Sequence, residues 1–257
     1  MKVVILAGGF GTRLAEETGT IPKPMVQIGQ HPMLWHIMKF YASYGFAEFV
    51  VALGYKAEVV KNFFLHFADL ESDLSIDLAT GGVQRLRRHQ EAWKVHLIDT
   101  GLNTQTGGRL RRLAPIIGGE TFMLTYGDGV SDVPLDHLLS FHHGQGKAVT
   151  VTAVPAPARF GGIAFDGDDD RLARFAEKRA GGDGWINGGF MVMEPIVFDY
   201  LSRDEDLLEI ELLERFGRTG QLAAYKHAGF WQCMDTLRDK HSLEQLWASD
   251  APPWKRW

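Results

Sequence analysis

Val3-Val4-Ile5-Leu6 runs without a polar interruption into Ala7-Gly8-Gly9-Phe10-Gly11-Thr12-Arg13-Leu14. A continuous aliphatic run of this length reads as a strand covered on both faces, as in a parallel sheet flanked by helices. The glycines that follow let backbone N–H groups approach a phosphate, because no Cβ stands in the way. The pair points to an α/β fold with an anion-binding loop at the carboxyl end of its first strand.

Later segments keep the same alternation. A helix is expected from about Pro32 to Tyr44, with Pro32 in its first turn and Gly45 at its end. Phe49 to Leu53 reads as a strand, and Ala57 to about Phe67 has the spacing of an amphipathic helix. The polar stretch from Asp69 to Lys94 predicts a strand and an excursion before a strand at Val95 to Ile98. Its basic cluster, Arg85, Arg87, Arg88 and His89, reads as a solvated face or a subunit contact. A helix near Gly107 to Ala114, a strand at Phe122 to Tyr126, a helix at Leu135 to His143 and a strand at Val149 to Val154 follow. Beyond Arg159 the chain becomes β-rich and glycine-rich up to Met193. Helices near Ile196 to Leu201 and Leu207 to Phe216, a strand near Leu222 to Tyr225 and a helix from Thr236 to Trp247 complete the pattern. The tail, with Pro252, Pro253, Trp254 and Trp257, reads as an irregular docking segment, with another subunit as its candidate partner. The 257 residues suit one domain. Its expected core is a Rossmann-like, mixed but mostly parallel central sheet flanked by helices.

A net charge of −5 argues against non-specific nucleic-acid binding, which depends on neutralising phosphates. No apolar stretch approaches the roughly 20 residues of a membrane span, and Val3 to Ala7 is too short for a signal peptide core. The single cysteine, Cys233, allows no intrachain disulfide and reads as a small buried apolar residue. A cytoplasmic protein is expected. The histidines show no zinc-binding spacing, and His142-His143 reads as helix surface.

The loop does not fit the two common phosphate-binding fingerprints. With Gly9 and Gly11 as the first pair, the third glycine of a dinucleotide site falls on Leu14. A Walker A loop would need Lys after its last glycine, where Thr12 stands. Instead Arg13 and, ten residues on, Pro22-Lys23-Pro24-Met25 bring two cations toward the end of the first strand. Leu6 to Leu14 followed by that Pro-Lys-Pro-Met resembles the signature of the sugar nucleotidylyltransferases. The resemblance implies that Leu6, Ala7, Gly8, Gly9, Phe10, Gly11, Thr12, Arg13 and Lys23 bind a nucleoside triphosphate. It assigns catalytic roles to Arg13, Lys23 and Asp128. The chemistry agrees, since splitting the triphosphate builds charge that positioned cations and N–H dipoles stabilise. Arg13 can fork two phosphate oxygens, and Lys23 supplies a point charge on a backbone stiffened by Pro22 and Pro24.

Asp128 stands between Gly127 and Gly129 just past an apolar strand, where ligands of open α/β sheets lie. Asp235 precedes Thr236 at a helix start and reads either as a capping residue or as a metal ligand. Phe230-Trp231-Gln232-Cys233-Met234-Asp235-Thr236 resembles the family's late metal-binding segment. Asp128 and Asp235 are therefore expected to hold Mg²⁺, which takes one or two carboxylates beside phosphate oxygens. Asp132 is expected behind them or at a cap.

For the acceptor, Phe175-Ala176-Glu177-Lys178 and Asn187-Gly188-Gly189-Phe190 resemble family segments that imply sugar contacts from Glu177, Asn187 and Gly188 and a phosphate contact from Lys178. Arg159 is expected in a wall of that pocket, and Glu209 and Glu211 at its rim. Residues 1–155 then mainly serve the nucleotide, 156–235 form a smaller β-rich portion for the sugar phosphate, and 236–257 are a closing helix and tail. Asp99-Thr100-Gly101 through Thr104 to Arg109, with Tyr126 to Val130, resembles the branch of the family that joins CTP to glucose 1-phosphate. That branch implies nucleotide contacts from Thr104 and Arg109 and a homo-oligomer. The pattern departs at Arg179, where proline is usual, and at Leu208, where tryptophan is usual. Both departures bear on the acceptor, so the same chemistry on another phosphorylated acceptor and a silent nucleotide-sugar-binding regulator remain the alternatives.

Overall fold

The computed structural model describes residues 1–87, 91–156, 162–165, 173–176 and 184–257. Lys2–Leu6 forms strand β1, with Val3, Val4 and Ile5 fully buried. Val3 and Ile5 enter one hydrophobic core, while Val4 and Leu6 enter a second on the opposite face of the sheet. This is why the run carries no polar alternation: both faces of the strand are covered.

The central sheet contains β1, β2 (Glu48–Leu53), β3 (Lys94–Asp99), β4 (Phe122–Tyr126), β5 (Val149–Pro155), β6 (Gly162–Phe165), β7 (Ala173–Ala176), β8 (Trp185–Asn187), β9 (Met191–Met193) and β10 (Leu222–Lys226). Its order is β7-β6-β8-β5-β9-β4-β1-β2-β3, with β10 also paired to β5. The β4-β1-β2-β3 half is wholly parallel, as is β5 with β10. The strands from β6 to β9 pair antiparallel, so the sheet is mixed and its longest ladders are the parallel ones. Helices α1 (Met33–Ala42), α4 (Leu135–Gln145) and α5 (Leu237–Trp247) pack on the face of Val3 and Ile5, as does α2 (Ala57–Leu70). Helix α3 (Thr106–Ile117) covers the other face with the segment Leu208–Phe216. The parallel register brings the carboxyl ends of β1, β2 and β4 side by side. Gly127 N–H donates to Leu6 O, Ala7 N–H to Ala52 O and Tyr55 N–H to Gly8 O, at 3.0, 3.0 and 3.2 Å.

Several expectations change. The polar stretch after Asp69 is the end of α2 followed by a hairpin, Asp73–Asp77 with Gly82–Arg87, whose turn is tied by Asp77 to Ala79 and Thr80. Arg88 and His89 lie outside the described residues. The expected helix at Ile196 to Leu201 is a 3₁₀ helix, Pro195–Tyr200. The next one opens as a π-helix, Glu209–Glu214, before an α turn at Arg215–Arg218. His142 is not on the surface: it is 1 % exposed, with its ring nitrogens on Thr150 and Glu194. Both partners come from other elements, so the helix pattern alone could not reveal them. The tail docks on its own chain rather than reaching outward. Trp254 is buried beside His36, Trp247 and Phe230, and Trp257 stands against Trp35. Leu208 is fully buried in the second core, so its departure from tryptophan concerns packing rather than the face of a sugar. Cys233 is buried as expected, and burial, with Asp235 nearby, pushes its thiol up to about 12. Among the described residues, no helix is long and apolar enough to cross a membrane.

Candidate active site

The loop after β1 closes on itself. A 3₁₀ turn at Thr12–Leu14 follows Gly11, whose φ of +65° favours glycine, and the Thr18 hydroxyl donates to the carbonyls of Gly11 and Leu14 at 3.1 and 2.9 Å. Over it opens a cleft of about 710 Å³ at the carboxyl ends of β1 and β4. Leu6, Ala7, Gly8, Gly9, Phe10, Gly11, Thr12 and Arg13 line one side, Thr104 and Arg109 another, and Lys23, Asp128 and Asp235 the floor. Residues assigned to the nucleotide and the metal from five separate stretches of sequence thus share one cavity.

Charge is concentrated at its floor. Lys23 Nζ donates to Asp128 Oδ2 and to Asp235 Oδ1, both at 2.6 Å. Arg13 Nη1 donates to Asp235 Oδ2 at 3.1 Å. Burial opposes the charge on Lys23, but the two carboxylates outweigh it and raise the lysine above its ordinary value. Burial likewise opposes ionisation of Asp235, yet Lys23 and Arg13 hold it below the usual carboxylate range. Asp235 is not the helix cap. Thr236 caps α5 by accepting from Asp239 N–H, and Asp239 Oδ2 accepts from the N–H groups of Asp235 and Thr236. This capping box leaves the Asp235 carboxylate pointing into the cleft. Two carboxylates that converge within 2.6 Å of one ammonium define a point that a cation can occupy. That donor set suits Mg²⁺, which needs only one or two carboxylates when phosphates and waters complete its shell.

The family model described as Nucleotidyl transferase matches residues 2–237. The chain belongs to the nucleotidyl transferase family. Its match to the glucose-1-phosphate cytidylyltransferase of Salmonella typhi is 45% identical over 258 residues, covering 100% of both chains. A mannose-1-phosphate guanyltransferase of Aspergillus oryzae is 29% identical over 248 residues, covering 93% of this chain and 62% of that one. The crystal structure of HddC from Yersinia pseudotuberculosis, complexed with GMP-PN, shares the fold with a TM-score of 0.77 and 23% identity, over 96% of this chain and 99% of that one.

Within this nucleotidyltransferase fold, Arg109 has a place the sequence did not foretell. Its guanidinium is buried and donates to the carbonyls of Leu53, Gly101, Leu102 and Gly8 and to the Thr100 hydroxyl, at 2.7–3.1 Å. It ties the glycine loop, the end of β2 and the Thr100–Thr104 loop into one wall. A Cβ at Gly8 would lie 2.3 Å from Arg109 Nη1, so a side chain there would have to displace this hydrogen-bonded guanidinium. Asp132 accepts from His227 Nε2 at 2.7 Å and makes no contact with the floor charges. Asn187 and Gly188 sit beside the cleft. Asn187 Oδ1 accepts from Gly189 N–H at 3.0 Å beside Tyr126, which lines it, and Gly188 N–H donates to Thr152 O at 2.8 Å. The Asn-Gly-Gly-Phe turn is tight enough to hold Phe190 at φ +44°, with its ring buried against Tyr41. Arg159, Glu177 and Lys178 lie outside the described residues. Sequence reasoning passed over Thr106 and Tyr126 as cleft residues. The position of Tyr126, last in a strand that ends at Gly127-Asp128, was the available signal.

Proposed function

We propose that this nucleotidyltransferase joins CTP to glucose 1-phosphate, giving CDP-glucose and pyrophosphate. The observation that carries the reading is the 45% identity across the whole of both chains with the Salmonella typhi cytidylyltransferase, against 29% with the guanyltransferase.

The cleft supports the chemistry. Backbone N–H groups of the Gly8–Gly11 loop and the Arg13 guanidinium cradle the triphosphate. Lys23 places a buried positive charge where the leaving pyrophosphate develops negative charge. Asp128 and Asp235 would hold Mg²⁺, which when bound supplies Lewis-acid neutralisation of phosphate charge. Thr104 faces the nucleotide, and Arg109 holds the wall that surrounds it. Arg159, Glu177, Lys178, Asn187 and Gly188 take the sugar phosphate. An oxygen of the acceptor phosphate, already ionised near neutral pH, attacks the α-phosphorus in line and pyrophosphate departs. No general base is required, so catalysis rests on alignment and charge neutralisation.

Arg179 favours one second reading, the same transfer to a different phosphorylated acceptor, because it replaces the usual proline directly after Glu177-Lys178. A silent regulator is disfavoured by the presence of Arg13, Lys23 and Asp128 in one cleft. We further place the protein in the cytoplasm as a homo-oligomer. Self-association is supported by the hairpin, whose Ile76, Leu78, Val83 and Leu86 are 54, 92, 58 and 63 % exposed. The test is pyrophosphate release with Mg²⁺ over a grid of four nucleoside triphosphates and several hexose 1-phosphates. CTP with glucose 1-phosphate is expected to dominate, and a clear preference for another pair would replace this reading.

A further inference from the structure

The two floor carboxylates are carried by a short ladder outside the central sheet. Gly129–Ser131 and Trp231–Cys233 pair antiparallel, with Gly129 opposite Cys233 and Ser131 opposite Trp231. Asp128 and Asp235 flank one end, where Met234 N–H donates to Asp128 O at 2.8 Å. At the other end Phe230 O accepts from the Ser131 hydroxyl at 2.7 Å and from Asp132 N–H at 3.1 Å. One closed piece of backbone therefore sets where both carboxylates stand. From this ladder Trp231 reaches the Asn187–Phe190 turn, and its Nε1–H donates to Gly188 O at 2.6 Å. The turn is strained, with Gly189 at φ +77° and the non-glycine Phe190 at +44°. Thr152 holds it from the other side: its carbonyl accepts from Gly188 N–H at 2.8 Å, and its hydroxyl donates to Phe190 O at 2.7 Å. The indole packs close, since a Cβ on Gly188 would lie 3.2 Å from Trp231 Nε1 and 2.9 Å from Val154 Cγ1.

We infer that Trp231 is a positioning residue that registers the acceptor turn against the metal carboxylates. The indole N–H can only donate, and Gly188 is buried, so removing that donor takes a hydrogen-bond partner from a buried carbonyl. It also cuts the side-chain bond that joins the turn to the ladder bearing Asp128 and Asp235. In-line attack tolerates little displacement, and a misplacement of about 1 Å costs on the order of 100-fold. The CTP side keeps its own supports, because the glycine loop follows β1 and Arg109 stands on α3. Loss of the Trp231 bond therefore acts on the acceptor. This inference rests on the functional reading above, in which Asn187 and Gly188 meet the sugar phosphate and the two aspartates hold the metal.

The test is steady-state kinetics on the full chain with saturating Mg²⁺, varying the nucleotide and the hexose 1-phosphate separately. It compares wild type, Trp231→Phe, Asn187→Ala and the Trp231→Phe/Asn187→Ala double variant. Trp231→Phe keeps an aromatic ring and removes the N–H. It is expected to raise KM for the sugar phosphate about 10-fold while KM for CTP stays within about 2-fold. KM does not depend on how much of the enzyme is folded, so a partial loss of fold leaves this comparison intact. Because the indole acts through the turn that carries Asn187, the double variant should have a sugar-phosphate KM no more than about 2-fold above that of Asn187→Ala. A role confined to packing would lower the melting temperature and apparent kcat and leave both KM values alone, and that result would overturn the inference. So would effects of the two substitutions that multiply in the double variant. Absence of wild-type turnover with every hexose 1-phosphate would instead overturn the functional reading, and this inference with it.

Discussion

The Lys23 ammonium lies 2.6 Å from Asp235 Oδ1, across 212 residues of sequence, and the same nitrogen meets Asp128. Lysine is thus the counter-ion of both carboxylates at the floor of the cleft. Replacing it with methionine removes that counter-ion and leaves two facing carboxylates. Lys23→Met should lose at least about 100-fold in turnover, the scale of a deleted transition-state charge. It should also gain more thermal stability from added Mg²⁺ than wild type does, because Asp128 then loses its lysine partner and Asp235 keeps only Arg13. Melting curves over a Mg²⁺ titration check this, and equal shifts in the two proteins would contradict it.

Gly8 faces the Arg109 guanidinium at a distance that admits no side chain. Gly8→Ala must displace Arg109 or the loop, breaking buried hydrogen bonds that are costly to leave unmade. A stability loss of about 1–3 kcal/mol is expected, with turnover down about 10-fold or more. Urea unfolding and pyrophosphate release measure the two effects. An unaltered Gly8→Ala enzyme would show that the wall is not rigid.

The His36 ring is enclosed by Trp35, Trp247 and Trp254, with centroids 5.1, 4.5 and 6.0 Å away. Its Nε2 donates to Ile28 O at 2.9 Å and its Nδ1 accepts from Trp254 Nε1 at 3.4 Å, so the neutral form is the one that fits. Burial lowers its pKa from 6.5 to about 4, with the neighbouring His31 adding to the effect. The unfolded chain therefore takes up the proton first as the solution is acidified. Stability contributed by neutral His36 is complete above about pH 6.5, falls as pH drops, and is gone near pH 4. The gap corresponds to about 3 kcal/mol, at about 1.4 kcal/mol per pH unit. Urea unfolding between pH 7 and 4 should show this slope, and His36→Gln should flatten it.

The proposed self-association sets the hairpin's exposed side chains against a second copy. Light scattering after size exclusion is expected to give an oligomer for the native chain, reduced in mass by Ile76→Asp with Val83→Asp. A monomeric native protein would remove the proposed self-association.

What could be read from sequence was local. The aliphatic run of β1, its glycine loop, Lys23 between prolines and Asp128 at a strand end each carry their meaning within a few residues. The convergence of Arg13, Lys23, Asp128 and Asp235 needed the family pattern, because stretches more than a hundred residues apart meet only in the fold. Other features stayed hidden because their partners are remote. Arg109 reads as a nucleotide contact, and the carbonyls it holds in the cleft wall come into view only in the fold. His142 reads as surface until Thr150 and Glu194 enclose it, and Trp254 reads as a free anchor until His36 and Trp247 receive it. Leu208 looked like a lost sugar contact and is a core residue. Glu209 was placed at a rim, whereas its two hydroxyl donors come from α3 and the end of β4.

The central claim is that the floor carboxylates serve the transfer itself rather than the fold. It is tested most directly by pyrophosphate release from CTP and glucose 1-phosphate, with saturating Mg²⁺, in Asp128→Asn beside wild type. The prediction is a loss of at least about 100-fold with an unchanged melting temperature. Turnover close to that of wild type would contradict it.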